Sequence, residues 1–252
     1  MMHMAKSRLG ALVVLASVSG VALAQSQSGS GWAHELTPYL WASRMKGEVA
    51  AGSIPNTRVD MRFSDILENL DMGFMSAFES RKGRWSLLFD GMYMGVSDTA
   101  TSSLLGVAVT SRAEVKQTSL AGAVGYRALE GNVPLDLIAG LRFSRIDVDV
   151  NAAALGSNLS FSGTKSWTEP YLGAKLTVPV SERLKAIAYG DVGGFGVGSD
   201  LTWQAMLGVS YSYSKSVGMT FGYRYLDVDY DKDGFKYKMA NDGIYTGISF
   251  RF

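Results

Sequence analysis

The groups able to do chemistry in this chain are carboxylates, guanidiniums and amines, set at alternate positions along segments with an extended pattern. Glu35, Glu79, Asp90, Glu114, Lys116, Arg142, Glu169, Lys175, Asp191, Arg224 and Arg251 fall in runs where about every second residue is apolar or small. Period two sends successive side chains to opposite faces of a strand, which places these charges opposite the apolar face. Six are acids and five are bases. Such a balance predicts mutual pairing, because an unpaired charge in a low-dielectric interior is costly. Glu79 and Asp90 could work as an acid and a base, but pairing of each with Arg or Lys is the stronger expectation. Other catalytic signatures are missing. The chain has no Cys, His34 is its single His after residue 24, and no G-x-S-x-G elbow occurs. Gly193-Gly194-Phe195-Gly196-Val197-Gly198 joins two strand-like segments rather than opening a helix, so it reads as a hairpin tip and not a phosphate loop.

Asp229-Tyr230-Asp231-Lys232-Asp233-Gly234 resembles the first half of an EF-hand calcium loop, with carboxylates at alternate positions and Gly at the sixth. The twelfth position is Ala240 where a bidentate Glu closes such a loop. Asp229, Asp231 and Asp233 are therefore metal candidates without a closing ligand, and an acidic hairpin tip is the plainer reading. No cofactor is expected. Asp147, Asp149 and Asp227 join the same outer rim, where divalent ions bridge lipopolysaccharide phosphates.

Ten segments must position these groups: roughly 34–45, 72–81, 84–97, 110–127, 134–150, 165–179, 183–195, 199–214, 216–230 and 242–252. In the eighth, Leu201, Trp203, Ala205, Leu207, Val209, Tyr211 and Tyr213 share one face. In the ninth, Val217, Met219, Phe221, Tyr223 and Tyr225 point one way and Gly218, Thr220, Gly222 and Arg224 the other. A membrane strand needs about 9–11 residues, and these segments supply them. Short links at 81–84, 130–133, 180–182 and 214–216 alternate with long ones at 46–71, 98–109, 151–164 and 231–241. Short turns on one side and longer loops on the other are the pattern of a transmembrane antiparallel up-and-down β-barrel. Eight strands, or twelve with the first loop adding a pair, also fit; ten is the count adopted. Trp and Tyr cluster near segment ends, as membrane interfaces favour. Thr37-Pro38-Tyr39-Leu40-Trp41-Ala42 is echoed five strands later by Glu169-Pro170-Tyr171-Leu172-Gly173-Ala174.

One stretch breaks the alternation. Phe63, Ile66, Leu67 and Leu70 recur at helical spacing, Ser64 can cap an N-terminus, and Asp65 and Glu68 suit the first turn. A short helix is predicted in the first outer loop, with Ile66, Leu67 and Leu70 as a candidate constriction of the barrel mouth.

The ends of the chain agree on its destination. Lys6 and Arg8, the apolar run Leu9–Leu23 and the Ala22-Leu23-Ala24 site read as a cleaved secretory signal over residues 1–24. Residues 25–31 form a linker and 32–252 one barrel domain. Cleavage moves the formal charge from +1 to −1, which leaves no basic patch for nucleic acid. The last residues place Ile244, Thr246, Ile248, Phe250 and Phe252 on one face. In this closing strand the chain resembles bacterial outer-membrane β-barrels, whose final aromatic residue is read by the assembly machinery. The resemblance implies a location in the outer membrane, contact with its lipids and lipopolysaccharide, and Phe250 and Phe252 as the assembly signal. A ten-strand lumen has little free room. The function expected is a non-enzymatic barrel with a salt-bridged lumen and a structural or surface-interaction role. A narrow passive channel, or a binding barrel for a small solute or lipid, is the alternative, and a lipid-modifying enzyme comes third.

Overall fold

Alternation over ten segments becomes ten hydrogen-bonded wall positions in the computed structural model, which describes residues 31–51, 54–104, 107–154 and 157–252. The signal over 1–24 and nearly all of the 25–31 linker lie outside the described residues. The strands are β1 (Ala33–Ala51), β2 (Ile54–Met61), β3 (Leu70–Lys82), β4 (Trp85–Leu104), β5 (Val107–Leu129), β6 (Leu135–Ala154), β7 (Ser157–Pro179), β8 (Leu184–Gly193), β9 (Leu201–Ser212), β10 (Val217–Lys232) and β11 (Phe235–Arg251), with helix α1 (Phe63–Glu68) between β2 and β3. Each strand pairs antiparallel with its neighbour, and β11 closes on β1 from Glu35↔Arg251 to Ala51↔Phe235.

Eleven strands make ten positions because β2, α1 and β3 share one. β11 occupies one edge of β1 along its length. The other edge pairs with β3 over Ala33–Pro38 and with β2 from Met45 onward. The second limb of the barrel is thus a single descending column, broken in the middle by α1.

Closure is sealed at the rim that carries the short turns. His34 N donates to Phe252 O (2.9 Å) and Phe252 N to His34 O (3.0 Å). The His34 ring stacks between Phe252 and Phe78, at centroid distances of 5.4 and 5.9 Å. A chain ending at Arg251 loses both hydrogen bonds and one stack at the last rung. We expect a clear fall in the folded, membrane-inserted fraction, measured by heat-modifiable gel mobility after refolding into liposomes; insertion equal to the full chain would refute the seam role.

The long links expected at 98–109, 151–164 and 231–241 are mostly strand. β4 and β5 stay paired to Leu104↔Val107, and β6 and β7 to Ala154↔Ser157. The length of one membrane crossing underestimates a strand that continues into water, where hairpins keep pairing. β10 and β11 meet at Asp233-Gly234, both at positive φ (54° and 71°), as a two-residue hairpin turn requires.

The outward face changes character along each strand. Near the short-turn rim it is apolar: Leu36, Leu40, Phe89, Leu120, Leu141, Leu172, Leu207 and Phe221 are all exposed, a surface suited to lipid. Further up it becomes polar, as with Arg145 and Asp147 after Leu141 on β6. The inward face does the reverse. Arg142 gives way to Ile146, and Arg224 to Leu226, Val228 and Tyr230. Below, the wall separates lipid from a polar lumen; above, it separates water from an apolar core.

α1 begins two residues earlier than its sequence suggests. Arg62, not Ser64, is the N-cap, and its N–H donates to the Asp65 carboxylate (2.9 Å). Ser64 Oγ bonds the same carboxylate (3.1 Å). Six residues are too few for an autonomous helix; packing of Ile66, 3% exposed, holds it. Leu67 and Leu70 are exposed, so of the three constriction candidates only Ile66 enters the barrel. A helix standing in the wall has one face inside and one outside.

Candidate functional site

The interior has three zones, taken from the short-turn rim upward. At the rim, Arg251 Nε donates to Glu35 Oε2 (2.7 Å). Arg81 bridges Glu79 (2.9 Å) and Asp136 (2.8 Å), and Arg127 also holds Asp136 (2.9 Å). Lys175 Nζ donates to Glu79. These groups come together because Glu79, Asp136 and Lys175 sit on inward positions of three strands near their turns.

The middle zone is a belt of seven side chains from seven strands. Glu169 of β7 accepts from Arg142 Nη1 of β6 (3.3 Å), and Arg142 Nη2 reaches Asp191 Oδ1 of β8 (2.7 Å). Gln204 of β9 donates through Nε2 to Asp191 and accepts at Oε1 from Arg224 Nε of β10 (3.0 Å). Arg224 Nη1 donates to the Tyr39 hydroxyl of β1 (2.9 Å), which donates to Asp90 Oδ2 of β4 (2.9 Å). Glu169 is fully buried and also accepts from Ser199, Thr202 and Trp167 Nε1. Fixing six or more partners around a low-dielectric interior costs entropy, and the geometry offsets it with charge-assisted bonds.

The repeated Pro-Tyr-Leu stretches are structural counterparts in this belt. Tyr39 opposes Gly247 and Tyr171 opposes Gly193. In both cases the glycine leaves room for the tyrosine: a Cβ there would lie 2.9 or 2.8 Å from the tyrosine Cβ. Near each site an aromatic ring face holds an arginine, Trp41 under Arg224 and Tyr171 under Arg142, both at 4.8 Å.

Above the belt the lumen is apolar. Trp167 packs on Tyr230 (4.5 Å) and Tyr237 (6.3 Å), with Met45, Met75, Met92, Met94, Met239, Ile146, Leu226, Val228 and Ile66 in one buried cluster. Below it lies a cavity of about 240 Å³, bounded by Glu35, Ser210 and Ser249 toward the rim and by Asp90, Arg142 and Arg224 toward the belt. Leu88, Ile138, Ile187, Met206 and Tyr189 line its walls.

Nine of the eleven charges expected inside are there: Glu35, Glu79, Asp90, Arg142, Glu169, Lys175, Asp191, Arg224 and Arg251. Glu114 and Lys116 are not. They pair with each other (2.7 Å) on the face of β5 shared by exposed Leu120 and Val124, outside the barrel and opposite Asp149 and Asp147. That part of β5 stands above the lipid-facing belt, where the polar face is the outer one. Sequence reading missed Arg81, Arg127 and Asp136, although each has the parity of an inward neighbour. With them, the paired charges of the interior among the described residues are six acids (Glu35, Glu79, Asp90, Asp136, Glu169, Asp191) and six bases (Arg81, Arg127, Arg142, Lys175, Arg224, Arg251).

The catalytic candidates are separated by this pairing. Glu79 is bound to Lys175 and Arg81, and Asp90 to Tyr39 and Arg224 (3.6 Å). His34 lies at the rim among aromatic rings. The calcium-like stretch is also spread out. Asp229 and Asp231 are on extended β10, Asp229 pairs with Lys238 (2.9 Å) and Asp233 with Lys165 (2.8 Å). The hydrogen bond from Lys165 holds the Asp233 carboxyl below its ordinary pKa. Among the described residues no three metal-ligating side chains converge.

A closed ten-position antiparallel barrel with lipid-facing leucines and a paired polar lumen defines a transmembrane β-barrel of the bacterial outer-membrane type. No family model and no curated protein matches the chain. Among solved structures it is similar to the outer-membrane protease OmpT of Escherichia coli (TM-score 0.52, 12% identity, 91% of this chain and 99% of that one). It is also similar to the translocator domain of the autotransporter NalP of Neisseria meningitidis (0.45, 12%, 89% and 90%), and to Ail, the attachment invasion locus protein of Yersinia pestis (0.36, 14%, 89% and 100%). At these identities the likeness is one of fold.

Proposed function

We propose that this chain is an outer-membrane barrel with an ion-tight, salt-bridged lumen and a structural or surface-interaction role carried by its outer hairpins. The observation that carries this reading is the belt Glu169–Arg142–Asp191–Gln204–Arg224–Tyr39–Asp90, roofed by the Trp167–Tyr230–Met239 cluster. Charge that is internally neutralised offers a permeating ion no unpaired counter-charge, and an apolar roof opposes hydration of the axis. A cleaved signal, insertion by the barrel assembly machinery through the Phe250/Phe252 strand, and contact with lipopolysaccharide belong to the same reading. So does the lack of enzymatic activity, supported by the distance of His34 from the lumen and by Glu79 and Asp90 each being committed to cations.

Purified protein in planar bilayers is expected to give no stable conducting level; a sustained ion current would overturn the ion-tight reading. Lipid A from cells with and without the protein is expected to have the same mass spectrum, and a mass shift dependent on expression would overturn the non-enzymatic one. A second reading, a binding barrel, is favoured by the cavity of about 240 Å³. It exceeds the ~150 Å³ cavity that accommodates benzene.

A further inference from the structure

The wall has a breach in the membrane. β1 leaves β3 at Pro38↔Ser76 and meets β2 only at Met45↔Met61, so Tyr39–Arg44 has no strand on that edge. β3 stays with β4 up to Leu70↔Val96. The two strands therefore part like a zip opened from above. The parting is visible in burial: all residues from Leu70 to Phe74 are exposed, on both faces of the strand. A strand in a closed wall cannot expose both faces at once. At roughly 3.3 Å rise per residue and a ~45° tilt, about ten residues cross the hydrocarbon. Counted from Ala33, that places Tyr39–Arg44 in the half of the membrane farther from the short turns. Leu40, 69% exposed, Phe74 and Met72 mark the lipid side of the opening.

Unpaired backbone at membrane depth is tolerated only where protein or a cavity covers it. Here the cover is α1, with Ile66 inside and Leu67 outside. Behind it are Met75, Met92 and Met94, unbranched side chains that repack readily around a guest. Tyr39 and Ala77, at the lower corner of the breach, also line the cavity of about 240 Å³. An apolar path therefore leads from lipid, past one helix side chain, to the cavity below the belt.

We propose that the breach between β1 and β3 is a side port through which a small apolar molecule dissolved in the membrane enters the barrel, with α1 acting as its gate through Ile66. The entrant is committed to an apolar character because Leu40, Met72 and Phe74 face the opening, while the charges at its upper edge already have partners, Arg44 in Asp60 (3.1 Å) and Asp71 in the Ser97 hydroxyl (2.9 Å), as do those inside. Its size is bounded by the cavity. This rests on the binding-barrel reading of the cavity and is independent of ion conduction, which follows the barrel axis.

Trp41 reports on the port, since it lies on the unpaired stretch of β1 and faces inward, 5% exposed. Its fluorescence would be isolated in the quadruple variant Trp32→Phe, Trp85→Phe, Trp167→Phe, Trp203→Phe, reconstituted in lipid nanodiscs. A chain retaining only Trp203, which faces lipid, is the reference. Bromobenzene, a membrane-soluble quencher, is expected to quench Trp41 to at least half the extent of Trp203. Phospholipid brominated on its acyl chains separates the sources: quenching of Trp203 alone assigns the port to free small molecules, and quenching of both assigns it to acyl chains. Ile66→Ala, or the milder Ile66→Val, is expected to speed Trp41 quenching several-fold and leave Trp203 unchanged. Should the quadruple variant not refold, the difference in quenching between the native chain and Trp41→Phe gives the same quantity. Trp41 untouched by both quenchers overturns the port, and a rate unaltered in both Ile66 variants overturns the gate. Either result leaves the conductance test standing by itself.

Discussion

Replacing Arg142 with methionine lowers the free energy of unfolding by about 3–5 kcal/mol, the cost typical of breaking a buried ion pair from one side. Among the described residues Arg142 is the only cation in an ion pair with Glu169 and Asp191, at 3.3 and 2.7 Å, and the Asp191 side chain has no exposed surface. Without the guanidinium, two carboxylates remain in the belt with only neutral donors: Ser199, Thr202 and Trp167 on Glu169, Tyr189 and Gln204 on Asp191. Methionine keeps much of the volume over the Tyr171 ring, so packing loss is a minor part of the effect. The measurement is the urea midpoint of protein refolded in liposomes, followed by tryptophan fluorescence. The triple variant Arg142→Met, Glu169→Gln, Asp191→Asn is expected to recover most of the loss, because it removes the orphaned charges together. A single variant as stable as the native chain would mean that the belt is not a stabilising network.

The second large effect is at the closing seam. Gly243→Ala is expected to destabilise the barrel by about 1–3 kcal/mol, the usual range for overpacking, and to lower the yield of closed barrel. A Cβ at Gly243 would meet Ala42 O at 2.0 Å and Ser43 Cα at 2.9 Å. All the nearest atoms are backbone of the partner strand, so no side chain can swing away, and β1 must move. The Trp41 indole, which donates to Gly243 O (3.3 Å), would move with it. Gly91→Ala is the control. Its Cβ would meet only Leu120 Cδ2 at 3.5 Å and Ser76 O at 4.0 Å, ordinary contact distances, and it should leave the urea midpoint within about 1 kcal/mol of native, as expected where no named mechanism of large loss applies. Equal behaviour of the two variants would show that the close approach of β1 and β11 is not needed for closure.

The parts of this molecule that were legible in its sequence follow from local chemistry. Leu201 to Tyr213 alternate so regularly that only a strand buries one face and exposes the other, and β9 does so. The helix around Ile66 was visible because four apolar residues recur at a period no strand can use. The two Pro-Tyr-Leu stretches announced an internal correspondence, and the barrel uses both tyrosines on the inner wall. Glu114 and Lys116 were misplaced for a reason equally physical. On β5 the apolar parity switches between Val115 and Leu120, since a wall facing lipid needs apolar residues outside and a wall facing water needs them inside. Periodicity records that one face is apolar; it does not record which solvent that face meets.

The residue pattern alone determined the antiparallel barrel class, the places of the short turns and the near-balance of acids and bases on the polar face, because each depends on residue type and spacing within a few positions. Only the tertiary structure decided which strands meet. It was the offset between Pro38↔Ser76 and Met45↔Met61 that turned a predicted loop helix into a piece of the wall and opened the seam beneath it. It was closure of the sheet that brought Glu169, Arg142, Asp191, Gln204, Arg224, Tyr39 and Asp90, whose extremes lie 185 positions apart in the chain, into one belt. Register and closure are set by the sum of many rungs around the barrel, and no local stretch of sequence carries that sum.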